Sequence, residues 1–209
     1  MAFAFDTRSP DVRIVHLIDT LEIGGAERSL LAILSRFRRF SPVICHVYRG
    51  AALRPDYEAA GIPVISLDVE GRYSFGVAIR KFRRVLRELQ PALVHSTLFR
   101  SDIIARAALL PEPTPLVSSL VNDSYSPERF ARLEKRIRRK LEIARLLDAI
   151  TARLVDAFTA NSAAIMEANI QALRLVRDRV RVIHRGRDPS RFETLGPEER
   201  KAARARLGL

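Results

Sequence analysis

Short runs of apolar and β-branched residues alternate along this chain with longer stretches in which apolar residues recur every three or four positions. The first pattern is typical of buried strands, and the second is typical of amphipathic helices. We predict seven strands, one that begins at residue 12 and six others at 43–48, 63–67, 92–95, 115–120, 157–160 and 180–183. The predicted helices are one that begins after Gly25 and five others at 53–60, 75–89, 100–109, 128–155 and 162–173.

This alternation of strands and helices predicts an α/β fold. Parallel strands need crossover connections, and right-handed crossovers place helices on both faces of the sheet. The sequence therefore predicts a doubly wound, Rossmann-like parallel sheet of about seven strands. Ligands of such sheets bind at the carboxyl ends of the strands, so we expect functional residues in the loops that follow them. Those loops are 19–25, 48–50, 68–73, 95–100, 121–125 and 161–162.

Two glycines, Gly24 and Gly25, separate the first predicted strand from the first helix. Backbone without side chains at a helix N-terminus lets an anion approach closely, which predicts a phosphate contact. A tight turn explains the same pair without a ligand, because the dinucleotide and phosphate-loop fingerprints are both absent. Glu27 also has a structural explanation, since an acidic residue in the first turn stabilises the helix dipole by about 0.3–1 kcal/mol.

Other polar residues occupy later strand ends. His95 is the most interesting, because an imidazole there can bind a hydroxyl or stabilise charge near neutral pH. A histidine that satisfies loop backbone groups explains it equally well. Asn122, Asp123 and Asn161 follow the next two strands, where they can contact ligand hydroxyls or cap helices.

The predicted helix at 128–155 combines an apolar stripe with a basic centre. The stripe predicts that one side of the helix packs inward. It consists of Phe130, Leu133, Ile137, Leu141, Ala144, Leu147, Ile150 and Leu154. The basic centre predicts docking on anionic lipid, at about 1 kcal/mol per basic residue, although a solvated helix face explains the same charges. Its residues are Lys135, Arg136, Arg138, Arg139 and Lys140.

Composition narrows the class of protein and partner. No apolar run approaches the roughly 20 residues of a membrane span, and no signal-peptide pattern is present, so we expect a cytoplasmic protein. The net charge of +12 predicts an anionic partner. The absence of Trp and of a basic-aromatic motif argues against a nucleic-acid partner.

Cys45, the single cysteine, is expected in the core, and the four separated histidines offer no metal site.

The opening segment Ile18-Asp-Thr-Leu-Glu-Ile-Gly-Gly-Ala-Glu-Arg-Ser-Leu30 resembles the Gly-Gly-Ala-Glu segment of family 4 retaining glycosyltransferases of the GT-B fold. Four further segments agree with that family in order and spacing, at 58–64, 86–96, 155–162 and 182–192. The resemblance covers nearly all of residues 12–209. It implies a Rossmann domain that binds the acceptor, and a second domain that binds a nucleotide sugar across a cleft.

The resemblance also implies roles for individual residues. Gly24 and Gly25 would face the donor diphosphate, and His95 would lie near the reacting sugar as the catalytic candidate. No metal and no cofactor is implied beyond a nucleotide-sugar co-substrate. The expected partners are a donor-domain chain, an anionic membrane surface and a glycan or lipid-linked acceptor. The acceptor side would be shaped by Thr97, Asn122, Asp123 and Asn161.

The chain departs from the family pattern near its C-terminal end. Members usually read Pro-Asn-Gly-Val-Asp where this chain has His184-Arg-Gly-Arg-Asp188, although Gly186, Asp188 and Phe192 remain. We therefore expect a tail at 1–11, a Rossmann-like acceptor-side domain at 12–187, and a hinge at 188–209 that begins a missing donor-binding domain. The acidic Glu-x7-Glu pair with which the family holds its nucleotide sugar would lie downstream. The lone chain is accordingly expected to be inactive.

Two functions from different classes remain open. The first is the acceptor-binding half of a retaining glycosyltransferase, cytoplasmic and peripheral at the inner face of the membrane. The alternative is a non-catalytic Rossmann module that binds an anionic membrane or a protein partner. A nucleotide-dependent oxidoreductase is disfavoured by the missing fingerprint.

Overall fold

A computed structural model describes residues 12–71, 73–110, 112–186 and 196–209. Within these residues seven strands alternate with helices. The strands are β1 Val12–Ile18, β2 Phe40–Tyr48, β3 Val64–Val69, β4 Leu93–Thr97, β5 Leu116–Leu120, β6 Ala157–Ala160 and β7 Val180–Val182. The helices are α1 Gly25–Leu34, α2 Arg54–Ala59, α3 Phe75–Leu89, α4 Phe99–Leu109, α5 Pro127–Ala131, α6 Lys135–Thr151, α7 Ala163–Leu173 and α8 Pro197–Arg206, with 3-10 turns at Ala152–Leu154 and Arg177–Arg179.

The strands form one parallel sheet in the order β3-β2-β1-β4-β5-β6-β7. The strand order reverses between β1 and β4, which makes this the topological switch point of a doubly wound sheet. Ile18 of β1 lies level with His46 of β2 and Thr97 of β4, so these strands bring their carboxyl ends together. The predicted α/β fold is confirmed.

Apolar residues cover both faces of the sheet, as a buried parallel sheet requires. Because side chains alternate along a strand, Leu17 and Ile18 point to opposite faces. Leu17 belongs to a core cluster with Phe82 of α3. Ile18 belongs to a second cluster with Leu30 of α1. Cys45 is fully buried in the first cluster, where burial raises the pKa of its thiol, and its predicted core position is confirmed.

The single helix predicted at 128–155 is wrong in its continuity. The structure has two helices there, α5 and α6, separated by residues 132–134. Glu134 precedes α6 with an extended backbone, at φ −57° and ψ 147°, so the helical path does not pass through it. Residues 132–134 include neither Gly nor Pro, the residues that usually mark the end of a helix in a sequence. The break is therefore not predictable from the sequence pattern.

The apolar stripe of α6 does not pack inward as predicted. Ile137, Leu147 and Ile150 are 49 %, 50 % and 56 % exposed. Polar contacts fix the helix instead: Asp148 is buried, and Arg145 donates from Nη1 to the carbonyl oxygen of Ala172 in α7 at 3.1 Å. These contacts hold the helix with its apolar side toward solvent.

Parts of the predicted organisation lie outside the described residues. They are the tail at 1–11 and the hinge residues Asp188 and Phe192. The division into a domain and a hinge therefore stays a prediction. None of the helices in the described ranges combines the length and the apolar character that crossing a membrane requires.

Candidate functional site

An open cleft lies over the carboxyl edge of the sheet, at the switch point between β1 and β4. It has a volume of about 520 Å³, and its walls follow β1, β4, β5, β6 and β7. A second cleft of about 310 Å³ adjoins it, and the two share Leu98, Val121 and Asn122. This is the place where an open α/β sheet binds its ligand. The remaining residues that line the first cleft are Gly25, Ala26, Glu27, Ser29, Asn161 and Arg185.

The two glycines of the first loop have different surroundings. Gly25 lines the cleft, and a Cβ atom there would meet nothing within 4 Å. Gly24 has an extended backbone, with φ −135°, so its conformation does not require glycine. The present position of Glu27 depends on it, because a Cβ atom at Gly24 would collide with Oε2 of Glu27 and lie 2.9 Å from Cδ of Glu27, so the carboxylate would have to move. Gly25 therefore leaves room for a ligand and Gly24 leaves room for a carboxylate. Their diphosphate-facing role stays a prediction.

Glu27 lies deeper than a helix-dipole role requires. The residue is 8 % exposed, although it lines the cleft. Its carbonyl oxygen accepts a hydrogen bond from the Tyr57 hydroxyl at 2.8 Å, which ties α1 to α2. Burial and the Glu27 charge both raise the pKa of Tyr57, so the phenol keeps its proton and this bond. The carboxylate of Glu27 is thus held on a rigid part of the fold.

Asp19, the first residue after β1, has a structural task. Its carboxylate accepts hydrogen bonds from the backbone nitrogen of Ser101 at 3.0 Å and from the Ser101 hydroxyl at 2.7 Å. Arg100 adds an ion pair at 3.3 Å. Asp19 therefore satisfies one of the unpaired backbone N–H groups at the start of α4 and fixes that helix to the end of β1.

Leu98 joins β4 to α4 with an unusual backbone conformation. Its φ of 80° and ψ of 146° lie in a region that residues with a side chain rarely adopt, at a cost of about 1–3 kcal/mol. Leu98 lines both clefts. Strained conformations of this kind concentrate at ligand sites, and this one borders both clefts.

His95 lies inside β4 and not at its end, because the strand continues to Thr97. Its Nε2 is 2.7 Å from the hydroxyl of Ser119, which lines the second cleft and is 3.1 Å from the hydroxyl of Thr159. Its ring packs against His16, with centroids 5.0 Å apart. Burial, with the charge of Arg185, lowers the pKa of His95 to about 4, so the ring is neutral at neutral pH.

The structure brings some of the predicted acceptor-side residues together. Asn122 and Asn161 line the same cleft, and Nδ2 of Asn161 donates to the carbonyl oxygen of Val121 at 3.0 Å. Thr97 is buried at the end of β4, and Asp123 is exposed beside Asn122. Their ligand contacts stay predictions.

A buried group of charged side chains supports the second cleft. Arg106 of α4 donates from Nη1 to Oδ1 of Asp148 at 2.6 Å and to the hydroxyl of Thr151 at 3.0 Å. Tyr125 donates to the other oxygen of Asp148 at 2.9 Å. Burial and the charge of Asp148 raise the pKa of Tyr125, so the phenol remains a donor. The group fixes α6 to α4 through hydrogen bonds to charge.

Asp102 extends this buried polar region. Its Oδ1 accepts a hydrogen bond from the hydroxyl of Ser96 at 2.6 Å, and that hydroxyl lies 2.8 Å from the hydroxyl of Ser118. Burial raises the pKa of Asp102 to about 6, with a further rise from Asp148 and opposition from Arg106. The second cleft, which Asp102 and Asp148 line, therefore contains a carboxyl group that titrates just below neutral pH.

The basic residues predicted to bind lipid are exposed on α6, at 135–140. In the described part of the chain they line neither of the two clefts. No group of three or more His, Cys, Asp or Glu side chains in these ranges is placed to hold a metal ion.

Sequence reasoning missed several residues of the site. Ser29 and Arg185 line the cleft although no sequence pattern indicates them, and the sequence indicates only a structural role for Glu27, which lines it too. A useful signal for Glu27 was its position three residues after Gly24, from which its side chain can fold back. Arg106 and Asp148 are 42 residues apart, so no local pattern links them.

A family model described as Glycosyltransferase Family 4 matches residues 23–191 of the chain. The matched range includes Gly24 and Gly25, the residues that line the first cleft, and all strands from β2 to β7. A comparison with curated protein sequences gives no match.

Solved structures show the same fold. The chain matches Anabaena Alr3699/HepE in complex with UDP and glucose with a TM-score of 0.72 and 23 % identity, over 94 % of this chain and 50 % of that chain. It matches the lipopolysaccharide outer core galactosyltransferase WaaB, in its apo form, with a TM-score of 0.59 and 14 % identity, over 82 % of this chain and 45 % of that chain. It matches UDP-GlcNAc 2-epimerase from Neisseria meningitidis, bound to UDP-GlcNAc, with a TM-score of 0.57 and 12 % identity, over 81 % of this chain and 46 % of that chain.

The chain spans about half the length of these structures. The shared fold includes a galactosyltransferase and an epimerase, so the fold by itself does not fix the reaction.

Proposed function

Because this chain belongs to glycosyltransferase family 4, we propose that it forms the acceptor side of a retaining glycosyltransferase active site. The proposed reaction moves a sugar from a nucleotide-sugar donor to a glycan or lipid-linked acceptor. The observation that carries the proposal is the open cleft at the switch point, lined by hydrogen-bonding groups in a chain that spans about half the length of the HepE structure. A donor-binding half completes the active site from across the cleft.

In this proposal His95 acts as a neutral imidazole, because with a pKa of about 4 it is not an imidazolium ion at neutral pH and does not serve as a general acid. It orders the Ser119 and Thr159 hydroxyls beside the reacting sugar. Asn122, Asp123, Asn161 and Thr97 shape the acceptor side. The nucleotide sugar is a co-substrate, and no other cofactor is proposed.

The division of labour predicts that the lone chain is inactive. Incubated with UDP-glucose, which HepE binds, and a lipid-linked acceptor extract, it should release no UDP above the background rate. Addition of the half of HepE that this chain does not match, as the donor-binding half, should start UDP release and transfer. His95→Ala should then lower kcat/KM by about tenfold or more, the equivalent of one hydrogen bond. Efficient transfer by the lone chain would contradict the proposal.

We further propose that α6 docks the protein on an anionic membrane, at the inner face where lipid-linked acceptors are reached. One face of α6 begins with the basic residues Arg136, Arg139 and Lys140. It continues with apolar residues at helical spacing, all at least 50 % exposed: Ile143, Leu146, Leu147 and Ile150. Anionic lipid head groups attract the basic residues, and the apolar residues insert at the boundary between head groups and acyl chains.

The membrane proposal predicts co-sedimentation with phosphatidylglycerol vesicles and none with phosphatidylcholine alone. Arg139→Glu combined with Lys140→Glu should weaken binding by about tenfold or more, since each basic residue near the surface contributes about 1 kcal/mol. Leu146→Ser with Leu147→Ser should also weaken it. The matched control is Arg38→Glu with Arg39→Glu, an exposed pair beyond α1, which packs on the opposite sheet face. Equal losses in both charge-reversal pairs would identify a non-specific charge effect and refute the docking face.

A further inference from the structure

A groove lies beside α3, next to the segment that follows α4, and has a volume of about 330 Å³. Among the described residues, its lining contains three arginines and one carboxylate, and none of its lining residues lines either cleft. The arginines lie at positions i, i+3 and i+7 of α3, so they share one face of the helix. The α3 groove is therefore a positively charged depression separate from the candidate site. Its lining residues are Gly76, Ile79, Arg80, Arg83, Arg87 and Glu112.

The end of α4 holds Arg83 in a fixed orientation. Its Nε donates to the carbonyl oxygen of Ala108 at 3.1 Å, and its Nη2 donates to that of Ala107 at 2.8 Å. Carbonyl groups in the last turn of a helix lack an intrahelical partner, so Arg83 also ties α3 to α4. Its Nη1 donates to none of the described residues. A half-buried guanidinium that is already ordered loses little further freedom when an anion binds.

Arg80 and Arg87 are exposed, and within the described ranges neither forms a hydrogen bond or an ion pair. By contrast, Arg84 of the same helix pairs with Glu88 at 2.8 Å. The helix dipole favours a cation at Arg87, in the last turn, but Arg80 lies in the middle of α3. Like charges three or four residues apart on a helix repel each other. An anion bound between these guanidinium groups would remove that repulsion.

We propose that the α3 groove binds the phosphate group of a phosphate ester. Guanidinium groups present their N–H donors in a planar fork that matches phosphate oxygens. Gly76 and Ile79 leave uncharged space beside the arginines for the rest of the ligand, since a Cβ atom at Gly76 would meet nothing within 4 Å. The ester is either a soluble molecule or a lipid head group, and both share this chemistry. The inference does not depend on the proposed function, because the groove lies outside both clefts.

The test is an NMR titration of the whole chain with glycerol 3-phosphate, at about 0.15 M ionic strength, where charges more than roughly 8 Å apart are largely screened. Backbone amide signals of α3 should shift saturably, and the signal of Gly25 reports the first cleft separately. Arg80→Gln should weaken binding in the groove by about tenfold, as expected for loss of a hydrogen bond between charged groups. Arg84→Gln is the matched control, because it removes the same charge from the same helix outside the groove, and it should leave the affinity unchanged.

Two further variants separate a shaped site from a general attraction of anions. Gly76→Leu places a side chain in the open part of the groove without changing the charge, and it should also weaken binding. Glu112→Gln removes the negative charge from the lining, and it should strengthen binding. A dispersed amide spectrum shows that each variant is folded.

Phosphatidylglycerol vesicles distinguish the two sources of the phosphate ester. If Arg80→Gln lowers co-sedimentation with these vesicles and Arg84→Gln does not, the ligand is a lipid head group. If Arg80→Gln lowers only the affinity for glycerol 3-phosphate, the ligand is a soluble phosphate ester. Either result supports the inference. Three results would overturn it: no saturable shift of the α3 signals in the wild-type chain, equal losses in the Arg80 and Arg84 variants, or unchanged affinity in Gly76→Leu.

Discussion

Replacing Arg106 with Met is expected to lower the free energy of unfolding by about 3–5 kcal/mol, because it leaves a buried negative charge without its partner. The side chain of Arg106 is 1 % exposed, and that of its partner Asp148 is 8 % exposed. Met keeps much of the volume and apolar stem of Arg, so the loss reports charge and hydrogen bonds more than packing. Urea denaturation followed by circular dichroism measures the effect.

Arg84→Met provides the control, since Arg84 also forms a helix ion pair, with Glu88, but its side chain is 74 % exposed. That substitution should change stability by less than about 1 kcal/mol. A second substitution, Asp148→Asn, added to Arg106→Met should restore part of the lost stability by removing the unpaired charge. Equal effects of the Arg106 and Arg84 substitutions would show that the buried pair is not a principal support of the fold.

The second large effect concerns pH and Asp102. Burial raises the pKa of Asp102 to about 6, so the folded state holds this proton more tightly than the unfolded state does. The associated stability is fully present below the unfolded pKa of about 3.9, and it is lost as pH rises through 6. Between pH 4 and pH 8 we expect Asp102→Asn, which stays neutral, to gain about 2–3 kcal/mol relative to wild type.

The measurement is the free energy of unfolding of both proteins at several pH values, taken from denaturation curves. Subtracting the wild-type value from the variant value at each pH cancels the contributions of all other titrating groups. One of these is Asp68, whose pKa is lowered by its hydrogen bond and ion pair with Arg49. Asp123→Asn is the matched control, because it removes a carboxylate from an exposed position in the β5–α5 loop. A pH-independent difference for Asp102→Asn would mean that the folded protein does not favour its protonated form.

The expected effects at Arg106 and Asp102 both concern the buried charged residues beneath the second cleft, which the sequence did not predict. Arg106, Asp148 and Asp102 each look like a surface residue of an amphipathic helix when read along the chain. Their burial depends on the contact between α4 and α6, which are far apart in sequence. The same contact explains the error over α6, since the helix is oriented by charge and its apolar residues are left exposed.

The candidate site was predictable in position and less so in detail. The rule for carboxyl ends of parallel strands led to the loops of Asn122, Asn161 and Gly25, which line one cleft. The predicted strand end at His95 is wrong, because β4 continues for two further residues, and the His95 ring lies beside Ser119. Glu27 could not be separated from a helix-dipole residue, because burial and the closeness of its carboxylate to Gly24 exist only in three dimensions.

The sequence by itself determined the class of fold, the seven strands and the edge at which the cleft forms. Strand and helix periodicity are local properties of the sequence. Because crossovers between parallel strands are right-handed, the order of the elements along the chain leaves few possible topologies. Only the tertiary structure decided which polar side chains were buried, which way α6 faced, and that Gly24 makes room for a carboxylate. Those outcomes depend on contacts between residues distant in sequence, whose free energies no local pattern contains.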